Sequence, residues 1–287
     1  MKSFDHVTPQ SLPEAIGLLD RLNGGGRVIA GGTDLMLQMR SGTRSPRTVV
    51  NIKRLPELKG LVYDPAAGLR LGSLTSLREL TRSPIIAEHY PCLAETAGMM
   101  ASEQIRSFAT LGGNLCNGSP SADLAPPLMV LEATVCLVGP AGERHLPLVA
   151  FFLGPGKTAL QPAELMKEIY VPPPKGRAIY LKQAPRLFMD IAVVGVAAAL
   201  HVKDGHCRRA RIALGAVAPL PLRADEAEAI LENKPLDRER IAQAAAAAAR
   251  ACSPIDDVRG SAWYRRRMVE VLTRRAVELL ATREEDR

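Results

Sequence analysis

Two short runs concentrate the residues able to hold a charged ligand: VIAGGTDLML at Val28–Leu37 and TLGGNLCNGSPSAD at Thr110–Asp123. In each, an apolar or β-branched stretch meets paired glycines, followed at once by hydroxyl, amide and acidic side chains. Gly31-Gly32 and Gly112-Gly113 carry no Cβ to hold a ligand away from the main chain. Adjacent main-chain N–H groups in such a bend can cradle a diphosphate. Asn114 and Asn117 offer amides to ribose or diphosphate oxygens, and Asp123 offers an acceptor to a ribose hydroxyl or an adenine amine. Two runs of this kind suggest a large nucleotide cofactor held from two sides. The competing reading is a tight turn after a strand in each case, and neither reading identifies the cofactor.

Other motifs fail on order. A dinucleotide fingerprint needs three spaced glycines opening a helix after a strand, but Gly24–Gly26 precede the strand Val28–Ala30 and Gly31-Gly32-Thr33-Asp34 lacks the third glycine. Gly154-Pro155-Gly156-Lys157-Thr158 ends like a P-loop, yet the position of its first glycine holds Phe151. A surface loop between strands is expected there. His6, His89, His145, His201 and His206 are scattered, with no nucleophile or metal motif around them. Catalytic residues are therefore not assigned, and a cofactor is expected to carry the chemistry.

Composition sets further bounds. The 287 residues suffice for a sizeable core and two domains, and 47% hydrophobic with 23% charged residues describes a folded chain. Cys92, Cys116, Cys136, Cys207 and Cys252 are odd in number, widely spaced and free of C-x-x-C, which argues against disulfides, a zinc site and an iron–sulfur cluster in this chain. Met1-Lys2 leads into polar Ser3-Phe4-Asp5-His6, and no stretch approaches the roughly 20 apolar residues of a membrane span. A cytoplasmic location without a transmembrane segment is expected. The net charge of +7 raises nucleic acid as a partner, but the late arginines Arg259, Arg265, Arg266, Arg267, Arg274 and Arg275 alternate with Glu270 and Glu278. A solvated or partner-facing helix is the preferred reading, without nucleic acid.

These residues need elements to position them. Ser11-Leu12-Pro13-Glu14 opens a helix with capping-box spacing, continued by Leu12, Ala15, Ile16, Leu19 and Leu22 and stopped by Asn23-Gly24-Gly25-Gly26. Val28–Ala30 and Thr48–Ile52 read as strands, and Thr33 is expected to cap a short helix over Leu35–Met39. Residues 1–55 thus form a small α/β unit. Further strands are expected at Leu69–Gly72, Thr134–Val138 and Met166–Val171, with helices over Thr75–Thr81 and Ile85–Ser102, the latter interrupted near Pro91. Pro172-Pro173-Pro174 is the best linker. Beyond it, Ala178–Gln183, Ile191–Val202 and Arg208–Val217 read as strands, the last two joined through Asp204-Gly205. Helices at Ala224–Glu232, Asp237–Arg250 and Ala262–Thr282 complete an α+β module.

With those segments in view, the chain resembles the flavin-binding medium subunit of the molybdenum hydroxylases, the xanthine dehydrogenase, carbon monoxide dehydrogenase and hydroxybenzoyl-CoA reductase family. AGGTDL at Ala30–Leu35 is similar to the family's first FAD loop, and QIRSFATLGGNLCNGSPSAD at Gln104–Asp123 to its second. Ala163–Ile169 before Val171-Pro172, Tyr180-Leu181-Lys182-Gln183 leading to Asp190-Ile191-Ala192, and Gly260–Arg266 match in order. The resemblance implies an α+β fold: a two-part FAD-binding domain of the vanillyl-alcohol oxidase and molybdopterin dehydrogenase type over 1–174 (subdomains 1–55 and 56–174). A carbon monoxide dehydrogenase flavoprotein-like domain, an antiparallel sheet with helices, would follow over 175–287.

The resemblance also implies site residues. Ala30, Gly31, Gly32, Thr33, Asp34 and Leu35 would wrap the diphosphate, with Val28 and Ile29 leading in. Thr110, Gly113, Asn114, Asn117 and Asp123 would contact the diphosphate and adenosine half. Met100, Ala101, Ile105 and Ala109 align with positions packed on or near the flavin ring. Lys182 aligns with a lysine near the isoalloxazine, its alternative being a surface ion pair. Cys116 departs from the family's small or aliphatic residues and reads as packing first. The implied role is an electron-transfer subunit: a large molybdopterin-binding subunit oxidises the substrate, a small subunit relays electrons through [2Fe–2S] clusters, and FAD in this chain passes them to an acceptor. A stand-alone FAD oxidoreductase of the enolpyruvyl-sugar reductase type and a basic nucleic-acid-binding protein are the alternatives.

Overall fold

A computed structural model describes residues 1–186 and 189–282. Its first unit contains β1 (Asp5–Val7), α1 (Leu12–Leu22), β2 (Gly26–Ile29), α2 (Leu35–Ser41) and β3 (Thr48–Asn51). The three strands form a parallel sheet in the order β1-β3-β2. Ser11 caps α1 by accepting from the Glu14 N–H, while the Glu14 carboxylate accepts from the Gln10 N–H rather than that of Ser11. The expected capping box is thus only half formed there. Leu12, Ala15 and Leu19 bury one face of α1 against Val50, Ile52, Leu55 and Leu58.

The second unit runs through β4 (Leu61–Asp64), β5 (Gly68–Gly72), α3 (Leu77–Arg82), α4 (Pro84–His89), α5 (Pro91–Met99), α6 (Glu103–Phe108), α7 (Leu111–Cys116), α8 (Ala125–Val130), β6 (Thr134–Gly139), β7 (Gly142–Pro147), β8 (Phe152–Gly154), β9 (Lys157–Thr158) and β10 (Leu165–Val171). Five strands form an antiparallel sheet ordered β4-β5-β10-β6-β7. The proline-rich β8–β9 segment is a small hairpin, tied down where the Gly156 N–H donates to the Gly118 carbonyl. Prolines at the starts of α4, α5 and α8 divide the helical stretch into short pieces, because proline is tolerated in a first turn but not in a helix interior. The second glycine run is not a turn after a strand. Gly112 and Gly113 lie in the first turn of α7, and α6 precedes it. Sequence reading missed this because paired glycines disfavour a helix intrinsically, and here tertiary contacts override that preference.

The third unit contains β11 (Arg177–Gln183), β12 (Val194–Lys203), β13 (His206–Gly215), β14 (Leu222–Arg223), α9 (Asp225–Leu231), β15 (Lys234–Pro235), α10 (Arg238–Arg250) and α11 (Ala262–Thr282). Residues 283–287 of the expected C-terminal domain lie outside the described residues. β11–β14 form an antiparallel sheet, and Asp204-Gly205 make the β12–β13 turn with φ of 53° and 69°. β12 is apolar on both faces because both are covered. Val194, Val196, Ala198 and Leu200 join the core beneath α10 and α11, while Ala197 and Ala213 join the core of the second unit. Alanines on that second face let α8 lie close. The Pro172–Pro174 link is therefore flanked by a continuous apolar seam, and Tyr90 donates its hydroxyl to the Val171 and Pro172 carbonyls.

Arg265 locks α11 onto this sheet. It is 4% exposed and donates to the Val193 and Ala216 carbonyls at 3.0 and 2.9 Å and to Asp257 at 2.6 Å. Removing a donor from buried carbonyls costs their desolvation, about 1–3 kcal/mol each. Arg265→Met is expected to lower unfolding free energy by about 2–4 kcal/mol in urea titrations. A loss under about 0.5 kcal/mol, the scale of an ordinary surface substitution, would mean the arginine is not holding the helix.

Candidate cofactor site

The two glycine-bearing segments meet. A Cβ on Gly31 would collide with the Phe108 carbonyl and crowd Ala109 Cα at 3.0 Å, so glycine lets the β2–α2 loop lie directly on the α6–α7 junction. Gln38 of α2 completes the contact, donating to Asn117 Oδ1 at 3.1 Å. Gly112 packs likewise: its Cβ would lie 2.6 Å from Ser73 Cβ. Gly31 and Gly112 thus bring protein segments together, a role that ligand-centred reasoning did not assign to them. Gly32 differs, because its φ of +76° is the left-handed conformation that favours glycine.

The donors of the two segments are used differently. At α7, the N–H groups of Leu111, Gly112 and Gly113 go to the Thr75 carbonyl, the Ser73 carbonyl and the Thr110 hydroxyl at 2.8, 2.8 and 3.1 Å. Thr110 and Gly113 therefore cap α7 instead of offering free donors. Around Gly32, by contrast, the main-chain N–H groups of Gly31, Gly32, Thr33 and Asp34 have no acceptor among the described residues. Successive free N–H groups at a left-handed glycine are a feature of main-chain nests that bind anions. Asp34, not Thr33, takes the N-cap position of α2, and its side chain makes no cap bond. Its carboxyl is exposed at the surface yet partly ringed by protein atoms, and that desolvation raises its pKa above the usual value.

Amides stand beside this cradle. Asn114 Oδ1 is buried without a hydrogen-bond partner among the described residues. Buried polar atoms are rarely left so, and an orphaned acceptor one turn before Asn117, which Gln38 of α2 contacts, is consistent with a ligand site. Val28, Ala30 and Leu35 are half-buried around the loop, and Ile29 is buried under it.

Apolar surface flanks the junction. Ile105 and Phe108, three apart on α6, are 43% and 61% exposed, and Leu37 of α2 is 64% exposed. Ala109 is half-buried against Gly31. Met100 is 9% exposed in the main core, and Ala101 takes a φ of +45°, uncommon for a residue with a Cβ. Arg106 holds that bend by donating to the Gly98, Met100 and Ala101 carbonyls at 3.1, 2.7 and 3.0 Å. Sequence reading did not single out Phe108, Arg106 or Gln38. Phe108 was legible as a lone aromatic in a chain with few, whereas the other two are bonding partners that only the fold reveals.

Asp123 and Lys182 come together from different units. Lys182 Nζ donates to Asp123 Oδ2 and to the Asp190 carbonyl, both at 2.8 Å, and Tyr180 Oη donates to Asp123 Oδ1 at 2.8 Å. The lysine and aspartate side chains are 8% and 9% exposed, so this ion pair is buried, not the surface pair weighed from sequence. Both carboxylate oxygens are engaged by the C-terminal sheet. Burial, then the adjacent Asp123 charge, raises the Tyr180 hydroxyl well above its ordinary pKa. Cys116 is half-buried against the main core, and burial pushes its thiol up to about 12.

A parallel unit and an antiparallel unit that meet through glycine, followed by a helix-backed sheet, form a three-part architecture that known flavoproteins share. Residues 2–174 match the model for the FAD binding domain in molybdopterin dehydrogenase, and residues 179–280 match the CO dehydrogenase flavoprotein C-terminal domain. The xanthine dehydrogenase FAD-binding subunit of Escherichia coli O157:H7 is 33% identical over 270 residues, covering 93% of this chain and 92% of the relative. The carbon monoxide dehydrogenase medium chain of Afipia carboxidovorans is 34% identical over 277 residues, 96% of both chains. A solved carbon monoxide dehydrogenase from Hydrogenophaga pseudoflava superposes with a TM-score of 0.95 at 34% identity, covering 98% of each chain. The chain belongs to the family of FAD-binding medium subunits of the molybdenum hydroxylases, and FAD is its cofactor.

Tyr180→Phe removes the donor to a buried carboxylate oxygen and is expected to cost about 1–3 kcal/mol at neutral pH. Because the folded state raises the tyrosine's pKa, its contribution is complete below the unfolded value of about 10 and is lost as pH rises beyond it. The stability gap between wild type and Tyr180→Phe should therefore narrow above about pH 10. A gap that stays constant to pH ~11 would remove Tyr180 from the pair.

Proposed function

We propose that this chain is the electron-transfer subunit of a multi-subunit molybdenum hydroxylase. It would work with a large molybdopterin-binding subunit and a small subunit bearing [2Fe–2S] clusters, and pass electrons from those clusters to an external acceptor. The working location is the cytoplasm, and the working division is a cofactor domain over 1–174 and a C-terminal domain over 175–287. The observation that carries the cofactor assignment within this chain is the set of free N–H groups at Gly31–Asp34, together with the orphaned Asn114 Oδ1 on α7. Family membership supports the rest: the relatives are themselves named as the FAD subunit of a xanthine dehydrogenase and the medium chain of a carbon monoxide dehydrogenase.

FAD, when bound, supplies the one- and two-electron redox chemistry that the side chains of this protein lack. The protein's residues then have separable tasks. Gly31–Asp34 donate main-chain hydrogen bonds to diphosphate oxygens, with Val28, Ile29, Ala30 and Leu35 fixing the loop from beneath. Asn114 and Asn117 offer amides toward the ribose and diphosphate, while Thr110 and Gly113 fix the start of α7 that carries them. Met100, Ala101, Ile105 and Ala109 line the flavin end, and the exposed rings and methyls of Phe108 and Ile105 exclude water there. Lys182 holds a positive charge that Asp123 balances, so the pair tunes the site less than a lone lysine would.

Gly32→Val places a β-branched side chain on a left-handed backbone, 3.1 Å from Ile29, and is expected to abolish stoichiometric FAD in the purified protein. Asn114→Ala removes one buried acceptor and should weaken FAD binding by about tenfold without lowering thermal stability. Flavin absorbance after gel filtration reads both. Full FAD retention in both variants would move the cofactor elsewhere. For the assembly, isolation from the native host with metal analysis is expected to bring down molybdenum and iron with this chain. A chain isolated alone, free of both metals, would refute the subunit role.

A further inference from the structure

Outside the cofactor loops, the β6–β7 hairpin gathers three metal-binding side chains. The ligand atoms of Cys136, Glu143 and His145 all lie within 4.8 Å of one another. The register explains the cluster. Cys136 of β6 is directly paired with His145 of β7, and directly paired residues share a face of the sheet. Glu143 stands two residues before His145 and so shares that face as well. On the other side of Cys136, the register places Glu168 of β10 as its direct partner. The widely spaced cysteines argued against a zinc site in the sequence. Spacings of seven and nine residues become neighbours only once the hairpin closes.

The distances suit a tetrahedral ion. Zinc lies about 2.3 Å from sulfur and about 2.0 Å from oxygen, so two such ligands at a tetrahedral angle are separated by about 3.5 Å. The Cys136 S–H donates to Glu143 Oε2 across 3.5 Å, and a zinc ion would take the place of that proton between the two atoms. The other carboxylate oxygen, Oε1, accepts from Lys167 Nζ at 2.5 Å, which orients the carboxylate and leaves Oε2 directed at the sulfur. His145 is exposed, so its ring has room to close the remaining distance by a side-chain rotation. Mixed sulfur, nitrogen and oxygen donors favour zinc over calcium or magnesium, which take oxygen alone.

We propose that Cys136, Glu143 and His145 form a zinc-binding site that staples the edge strand β7 to its neighbour β6. The fourth position is open to water or to the Glu168 carboxylate. β7 ends the sheet, and edge strands present unpaired main-chain groups that invite unwanted pairing. An ion bridging both strands fixes that edge. None of the three residues belongs to the segments that hold FAD, so the two sites are separable by mutation.

The test uses the full chain carrying its FAD, dialysed against buffered micromolar free zinc and counted by plasma mass spectrometry, with zinc-edge X-ray absorption on the same samples. The expected result is one zinc per chain with one sulfur neighbour at about 2.3 Å. Cys136→Ala and His145→Ala should each lower zinc occupancy by about tenfold or more while leaving flavin content unchanged. His145 is exposed, so its variant gives a folded comparison even where loss of the buried thiol perturbs the sheet. A chain that takes up no zinc, a coordination shell without sulfur, or full occupancy in either variant would overturn the site. Loss of flavin from the unmutated chain would instead count against the FAD assignment.

Discussion

The cofactor cradle depends on one steric constraint: the Phe108 carbonyl occupies the space that any side chain at position 31 would need. Everything around the site follows from that contact. The β2–α2 loop belongs to a parallel sheet formed early in the chain, and the α6–α7 junction belongs to helices lying on a separate antiparallel sheet. The two units share apolar contacts, with Leu12, Ala15 and Leu19 of α1 clustered with Val138 and Leu165 of the antiparallel sheet, and glycine lets their main chains also touch at this junction. The Gln38–Asn117 hydrogen bond then fixes α2 against the residue that ends α7.

Hydrogen-bond accounting separates the two segments more sharply than composition does. Both contain paired glycines and both look like anion loops. Yet the first-turn donors of α7 are consumed by Ser73, Thr75 and Thr110, whereas those of Gly31–Asp34 are not. Gly31–Thr33 are half-buried and Asp34 is exposed, so the first segment keeps accessible main-chain donors that the second does not have. The other is shaped to hold still. What it leaves unmatched is a side-chain acceptor, Asn114 Oδ1, which is buried without a partner among the described residues.

Much of this was legible in the residues. The AGGTDL run, the Asp204-Gly205 turn and the apolar periodicity of α1 each point to the element observed. What the sequence could not carry was pairing across distance. Lys182 and Asp123 lie 59 positions apart, and their burial follows from the C-terminal sheet closing over the second unit. Gly112-Gly113 reads as a turn because propensity is local, while Ser73 leaves room for nothing larger than a glycine within a helix. Cys136 and His145 read as unrelated until the hairpin register aligns them.

The buried polar groups divide into those that lock and those that stay inert, and both behaviours suit a protein that hosts redox chemistry. Asp123, Tyr180 and Lys182 satisfy one another, so breaking any member exposes a charge or donor to a dry interior. This joins the segment that follows the cofactor loop to the C-terminal sheet with a fixed geometry rather than a hinge. The thiols of Cys92, Cys116 and Cys252 are each pushed up to about 12, chiefly by burial. A protonated thiol is a poor nucleophile and resists oxidation. Burial thus withholds the thiolate form of these three cysteines at neutral pH. Cys116, one turn beyond Gly112-Gly113 on α7, shows this most directly: it packs against the main core, and burial pushes its thiol up to about 12, so its role there is packing.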